Sequence, residues 1–455
     1  MTRTTLSIDD LSPLLARLTL ANETFAARFP GVPLIRQPVH TVYGGAHLYK
    51  PGAAAKLGQL ARASFSTHAP DVETLARALG FAGYTDKPPT PDEARIARLV
   101  YERVVTKLND EPVEDHRVDF EDGYGTRTDD EEDEHAVAAA LAMAEGLETG
   151  ALPGRVGIRI KALTEEARAR SLRTLDIFLT TLTLQAGQLP EDFVVTLPKV
   201  TSEAQVSVLA ETLALLENRL SLAAKSIRIE LMIETIQSIL TADGRVRIPA
   251  LVQAGQGRVS AAILGTFDYT ASCNIASTWQ DHRHPAADFA RHMMQVALTG
   301  TAVFLSDGIT NVMPIGPHRG ELTAAQQAEN QAVVHSAWKL HFDNILHSLR
   351  LGFYQGWDLN PAQIPVRFAA VYYFFLTGVE DSIARLQTFV DRAAQASLTG
   401  NTFDDAATGQ GLVNFFVSGL NCGALTGDEV ARTGVSPAEL AQRSFLKIVE
   451  ARLST

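Results

Sequence analysis

Short apolar runs that stop at a charged residue recur along this chain, separated by longer stretches with apolar positions at helical spacing. From residue 113 they follow one another closely. Val118 and Phe120 precede Glu121-Asp122-Gly123; Val156, Ile158 and Ile160 surround Arg159; Val194, Val195 and Leu197 precede Pro198-Lys199. Ile227, Ile229, Leu231 and Ile233 lead to Glu234, Ala261 to Leu264 lead to Gly265 and Asp268, VFLSDG ends in Asp307, and LGFYQGWDLNPAQIP (351–365) closes the series. With a strand candidate at 41–52, that makes eight. Helical patterns at 53–81, 92–107, 130–148, 164–187, 202–222, 235–242, 284–301 and 322–350 lie between them. Strands alternating with helices predict a parallel sheet, and eight such units predict an α/β fold of the (β/α)8 TIM-barrel type. The expected organisation is an N-terminal helical extension over 1–39, a barrel over 40–365 and a helical C-terminal region over 366–455. The extension carries Leu11, Leu14, Leu15, Leu18 and Phe25 at helical spacing, and the tail shows helical patterns at 368–375, 383–396, 412–420 and 437–453.

The polar residues fall late in each apolar run, at the carboxyl end, where barrel enzymes place their chemistry. Two runs matter most. Those ending at Glu234 and at Asp268 are joined by a single helical crossover, so they are expected to be neighbours whose terminal acids share one small volume. Oxygen ligands of this kind suit a hard divalent cation such as Mg2+, which takes one or two carboxylates and keeps places for water and substrate.

Composition narrows the function classes. The 455 residues are 46% hydrophobic with a net charge of −12, and the mean hydropathy is +0.02. An acidic chain is a poor match for nucleic acid or an anionic membrane. The two cysteines, Cys273 and Cys422, make neither a disulfide framework nor a zinc spacing. Asp9 and Asp10 sit where a signal peptide needs a basic start, and no run reaches the ~20 apolar residues of a membrane span, so a cytoplasmic protein is expected.

The ordered series DFEDG, RIKA, LPKV, MIET, GTFDYTAS, SDG and GFYQGWDLNPAQ resembles the citrate lyase β-subunit, malate synthase and pyruvate-aldolase superfamily of phosphoenolpyruvate/pyruvate-type barrels. The aromatic before Asp268 and the Tyr after it resemble the malate synthase version. The resemblance implies a carbon–carbon lyase or synthase acting on a 2-oxo acid, with an acyl-CoA thioester as a further partner and a homo-oligomeric assembly. It implies Mg2+ or Mn2+ on Glu234 and Asp268, Arg159 on the substrate's carboxylate or enolate oxygen, and Glu121 and Asp122 holding metal-bound water, with Lys199 nearby. Gly265, Thr266 and Phe267 on the GTFD loop, and Asn360 and Gln363 in the final motif, are the expected substrate contacts. Asp307 is a candidate general base, and the C-terminal region offers Asp404 or Asp405 instead. Two positions depart from the group: Gly123 replaces an Ala, and Asn360 replaces a His.

Other readings stay open on residues alone. Glu234 and Asp268 also suit a helix cap and a turn, and Arg159 also suits an ion pair with Glu121 or Asp122. Arg228 and Glu230 share strand parity with Glu234 and suit a paired inner layer. The acids 129–134 suit a solvated helix start, Asp281, His282 and His284 a loop and cap, and Tyr372–Phe375 helix packing. Beside the lyase stand a phosphoryl-transfer enzyme, for which the sequence has no G-x-x-x-x-G-K-[ST] cradle, a non-catalytic barrel subunit, and a Schiff-base aldolase using Lys161 or Lys199.

Overall fold

The computed structural model describes residues 4–31, 33–391, 397–399, 402–404, 406–442, 444–445 and 447–448, and the statements below concern these. Helix α1 (Ile8–Arg28) comes first, followed by β1 (His40–Gly45). Helices α2 (Ala53–His68), α3 (Val72–Leu79) and α4 (Pro91–Asp110) lead to β2 (Asp115–Asp119). The expected 53–81 helix is thus two, because Ala69-Pro70 interrupt it and Asp71 restarts it by accepting the Thr74 N–H at 2.7 Å. Regular alternation follows: α5 (Asp129–Glu148), β3 (Arg155–Arg159), α6 (Arg168–Ala186), β4 (Val194–Leu197), α7 (Glu203–Arg219) and β5 (Arg228–Ile233). The crossover after β5 is two short helices, α8 (Ile236–Ile239) and α9 (Ile248–Ala254), before β6 (Val259–Leu264). Then come α10 (Thr266–Ser272), α11 (Pro285–Leu298), β7 (Phe304–Asp307), α12 (Ala324–Arg350) and β8 (Gln355–Asp358). The tail opens with one long helix, α13 (Ile364–Asp391), where the sequence suggested two. Phe368, Tyr372 and Phe375 on it are buried in packing.

The eight strands close into a parallel barrel in chain order, β1 to β8, with β1 paired to both β2 and β8. Strand alternation explains why these sequences close it. Val118, Val156, Ile158, Val195, Leu197, Ile229, Leu231, Ile233 and Leu264 face the surrounding helices and form one apolar core with them. Their alternates point into the lumen, where Val194, Met232 and Ile263 lie among charged and polar side chains. Arg117 donates through Nε and Nη2 to Glu230 (3.1 and 2.8 Å) and pairs with Asp115 on its other edge. Thr41 donates to Asp115 and Thr196 to Glu230, each at 2.9 Å. This saturated layer is a floor, because a buried charge is tolerated only when paired and hydrogen-bonded. Glu230 does face inward, but its partner is Arg117 rather than Arg228. Among the described residues no helix is long and apolar enough to cross a membrane.

Candidate active site

Above the floor, toward the carboxyl ends of the strands, β2 to β6 deliver a charged wall. Arg159, at the end of β3, is 1% exposed. Its Nε and Nη2 form a bidentate pair with Asp119 (2.7 and 2.6 Å), and its Nη1 lies 3.2 Å from Glu121. The guanidinium packs against the paired rings of Tyr43 and Trp357, whose centroids lie 4.4 Å from each other and 5.0 and 5.2 Å from its carbon. A fork held on one edge by a carboxylate and backed by an aromatic pair is fixed in place. Asp119 was not singled out in the sequence, where the acids after the strand drew attention. Its other duty explains a departure noted there. Its Oδ2 accepts the Gly123 N–H at 2.7 Å, and a Cβ on Gly123 would lie 2.5 Å from that oxygen. Only glycine permits this approach.

Lys199 ties the wall together. It follows Pro198 in a left-handed conformation (φ 51°), which a non-glycine residue adopts only when its surroundings hold it there. That backbone aims its N–H at Glu234 Oε1 at 2.6 Å. Its ammonium pairs with Glu121, lies 3.2 Å from Asp122 and reaches within 3.9 Å of Asp268. Burial works against its charge, but Glu234, Glu121 and Asp268 more than offset this and hold the ammonium protonated. A Schiff-base lysine must lose that proton, so the aldolase variant on Lys199 is disfavoured. Lys161 is engaged elsewhere, with Glu132 at 2.9 Å and the Phe120 carbonyl at 2.6 Å. Glu132 is therefore a buried partner rather than part of a solvated helix start.

Glu234 and Asp268 arrive from neighbouring strands, as β5–β6 pairing requires. Glu234 is 1% exposed, and its carboxyl is pushed up to about 8, first by burial and then by the charge of Asp268. Asp268, in the first turn of α10, is more open and is also raised, chiefly by burial. Gly265 makes this closeness possible, since a Cβ there would lie 2.3 Å from Glu234 Oε2. Five carboxylates (Asp119, Glu121, Asp122, Glu234, Asp268) thus meet two cations (Arg159, Lys199), a formal −3 in a half-buried place. A divalent cation fits this donor set. Oε2 of Glu234 accepts no hydrogen bond from the described residues, and the excess charge is of the sign a cation relieves. Among the described residues no group of three or more His, Cys, Asp or Glu is arranged to hold an ion. A pair of carboxylates matches an ion that keeps several waters, as Mg2+ does.

The other half of the mouth, from β6 round to β1, is neutral. Thr266 Oγ1, Ser306 Oγ, Trp357 Nε1 and Tyr43 Oη are all buried without a protein partner. Thr266 is packed against Gly308, where a Cβ would lie 2.1 Å from its hydroxyl. Phe267 is half-buried beside it.

Three expected site residues do not join this cluster. Asp307 is one position past the lumen-facing Ser306 and so points at the helices. There Arg291 grips both its oxygens at 2.9 Å, and Ser348 and His282 complete its shell. Burial opposes its charge, but Arg291 and His282 hold it far below the usual carboxylate range. This withdraws Asp307 as a general base: it has neither access nor basicity. Gln363 is 1% exposed and spends its amide on the backbone of Leu359, Asn360 and Thr310. Asn360 caps the same turn by accepting the Ala362 N–H at 2.9 Å. Both shape the loop after β8 rather than reach into the mouth. His284 likewise caps α11, accepting the Ala286 N–H. Asp404 lies on a short strand, Thr402–Asp404, and Asp405 falls outside the described residues.

The fold is shared with solved enzymes. A citrate lyase from Burkholderia xenovorans LB400 superposes with a TM-score of 0.55 at 15% identity, covering 87% of this chain and 96% of its own. CitE from Mycobacterium tuberculosis, solved with magnesium, acetoacetate and coenzyme A, gives 0.46 at 15% identity over 85% and 98%. The magnesium/glyoxylate complex of Haloferax volcanii malate synthase gives 0.45 at 15% identity over 91% and 97%. These neighbours are lyase- and synthase-type enzymes of the phosphoenolpyruvate/pyruvate barrel superfamily, and the likeness is one of fold. Among curated proteins none matches the sequence. A family profile described as a domain of unknown function, DUF6986, matches residues 18–448, and the chain belongs to that family.

Proposed function

We propose that this chain is a Mg2+-dependent carbon–carbon lyase or synthase, of the aldol or Claisen type, acting on a 2-oxo acid, with acyl-CoA thioesters as the second substrate class. One observation carries the reading: two carboxyls from adjoining strand ends, Glu234 and Asp268, both raised by burial, meet in a cluster whose fixed guanidinium is Arg159. Magnesium held by Glu234 and Asp268, or manganese in its place, would supply Lewis-acid stabilisation of enolate charge. The chain's own residues do the rest. The Lys199 N–H fixes Oε1 of Glu234 and leaves Oε2 open. Asp119, Tyr43 and Trp357 fix the guanidinium of Arg159, and a substrate oxyanion would take its Nη1 in exchange for Glu121, now 3.2 Å away. Withdrawing one such donor costs roughly 3 kcal/mol of transition-state stabilisation, about a hundredfold in rate. Lys199 adds positive charge at the same mouth without acting as a nucleophile.

The test is a Mg2+-dependent thermal-shift screen with pyruvate, oxaloacetate, glyoxylate and acyl-CoA thioesters, followed by turnover of the hits. Ligands that bind the native state raise its midpoint by mass action. Stabilisation by a 2-oxo acid only when Mg2+ or Mn2+ is present, and turnover abolished by chelator, is the expected result. Full turnover in excess chelator, or metal binding unchanged in both Glu234→Gln and Asp268→Asn, overturns it.

A further inference from the structure

Beneath the charged floor, at the amino-terminal end of the barrel, lies a second set of charges that the chemistry of the mouth does not use. Side chains alternate along a strand, so Arg228 shares the lumen face of β5 with Glu230, and Arg155 shares that of β3 with Arg159. Glu230 is spent on Arg117. Arg228 is left over: half-buried at the foot of β5, its guanidinium has neither a hydrogen bond nor an ion pair among the described residues. Arg155 is held only loosely, 3.9 Å from the exposed Asp192. Both open into one groove of about 690 Å³, which is also lined by Lys225, whose ammonium is likewise unpaired among the described residues. The hydroxyl of Ser226 is buried in the same groove with no partner. Inward-turned polar groups of this kind are ordinarily satisfied, and a guanidinium most often by a carboxylate. Here the chain's own described residues supply none.

We infer that this groove is a binding site for a small organic monocarboxylate, at the end of the barrel opposite the mouth. The class of ligand follows from the lining. The guanidinium of Arg228 presents a free fork that matches the two oxygens of a carboxylate. Arg155, Lys225 and Arg228 face two acids on the rim, Glu191 and Asp192, so one positive charge is left unspent. That suits a single carboxylate and disfavours a phosphate dianion, which both acids would repel. Ile35, Leu222 and Phe304 give the groove apolar walls for a body of several carbons, and its volume is in the range of small-molecule sites. The saturated floor of Arg117, Asp115 and Glu230 separates the groove from Glu234 and Asp268, so its occupancy needs no metal.

Calorimetric titration of the full chain with benzoate, in excess chelator and at low ionic strength, reads the site. Benzoate is expected to bind with a dissociation constant of about 1 mM or tighter. Benzamide, which keeps the shape without the charge, and inorganic phosphate should each bind about tenfold more weakly or worse. Arg228→Gln should weaken benzoate by about tenfold or more. Its ligand-free thermal midpoint should stay at or above that of the wild type, because no partner is lost; an Arg228 that served the fold would lower it. Arg159→Lys should leave benzoate binding unchanged, which separates the groove from a carboxylate held at the mouth. Failure of metal chemistry at the mouth would leave all of these results standing. No benzoate binding up to about 10 mM, benzamide or phosphate bound as tightly as benzoate, or an Arg228→Gln chain with wild-type affinity or a lowered midpoint overturns the inference.

Discussion

At the scale of single residues, the site is built on two glycines and one strained lysine as much as on its acids. Gly265 lets the backbone after β6 pass against Glu234, and Gly123 lets Asp119 hold the loop after β2. Gly265→Ala forces a methyl into the Glu234 carboxylate, so it is expected to cost about 1–3 kcal/mol by overpacking. The same methyl displaces Glu234, so the variant should also lose metal affinity. Calorimetric titration with Mn2+ beside a urea melt separates the two effects; a variant with wild-type affinity would show that the carboxylate is not where the structure has it. Arg159→Lys tests the fork. A lysine keeps the charge but cannot hold Asp119 with two nitrogens while presenting a third. A loss of about a hundredfold in kcat/KM on the identified substrate is expected, with binding of the metal alone little changed. Equal losses in both would mean that Arg159 merely props the metal site.

At the scale of elements, the barrel was legible because strand alternation and helical spacing are properties of short windows, and each apolar run announced its own end. What those windows do not carry is which side a residue at a strand end faces. Ser306 and Asp307 are adjacent, yet one faces the lumen and the other the helices, and only the pairing of β7 with β8 decides it. Asp119 suffered the opposite fate. It belongs to the lumen face of β2, in step with Arg117, but the more conspicuous Glu121-Asp122 pair after the strand hid it. Partners far apart in sequence are equally silent: Arg117 finds Glu230 across 113 residues. The reassignment of Asp307 makes its own prediction. Asp307→Asn removes the buried one of the two carboxylates that neutralise Arg291, leaving Asp288 at 2.8 Å, while preserving the shape, so it is expected to destabilise the fold by about 3 kcal/mol. At a temperature where the variant remains folded, kcat should stay near the wild-type value. A folded, stable variant with a kcat reduced by orders of magnitude would return Asp307 to the list of catalytic groups.

At the scale of the whole molecule, the charged mouth must show itself as a link between pH, metal and stability. Glu234 leaves its ordinary value of 4.5 and titrates at about 8 in the metal-free fold. A carboxyl raised by folding is protonated in the native state and ionised in the unfolded one between those two values. Its contribution to stability is therefore complete below pH 4.5 and is lost as the pH climbs through 8. Asp268 shifts in the same direction. The histidines His40, His47, His68, His116 and His341 work oppositely: burial lowers each of them, so they cost stability in acid, and that cost fades as the pH rises past 6.5 toward 8. Asp307 and Asp358 are depressed, so their contribution is lost only in stronger acid. The histidines are common to wild type and Glu234→Gln, so the difference between the two from pH 6.5 to 8 isolates the mouth. Across that window the wild type is expected to lose about 2 kcal/mol relative to the variant in chelator, at ~1.4 kcal/mol per unit. Magnesium binds the ionised carboxylates and competes with the proton, so its stabilising effect should grow from pH 6.5 to pH 8. Thermal melts at intervals through that window, with chelator and with Mg2+, give four curves when Glu234→Gln is included. The variant should remove this relative loss from the chelator curve and bring the two conditions together. A wild-type chelator curve parallel to that of Glu234→Gln from pH 6.5 to 8 would mean that Glu234 enters the fold already ionised, and that burial and Asp268 do not raise its carboxyl.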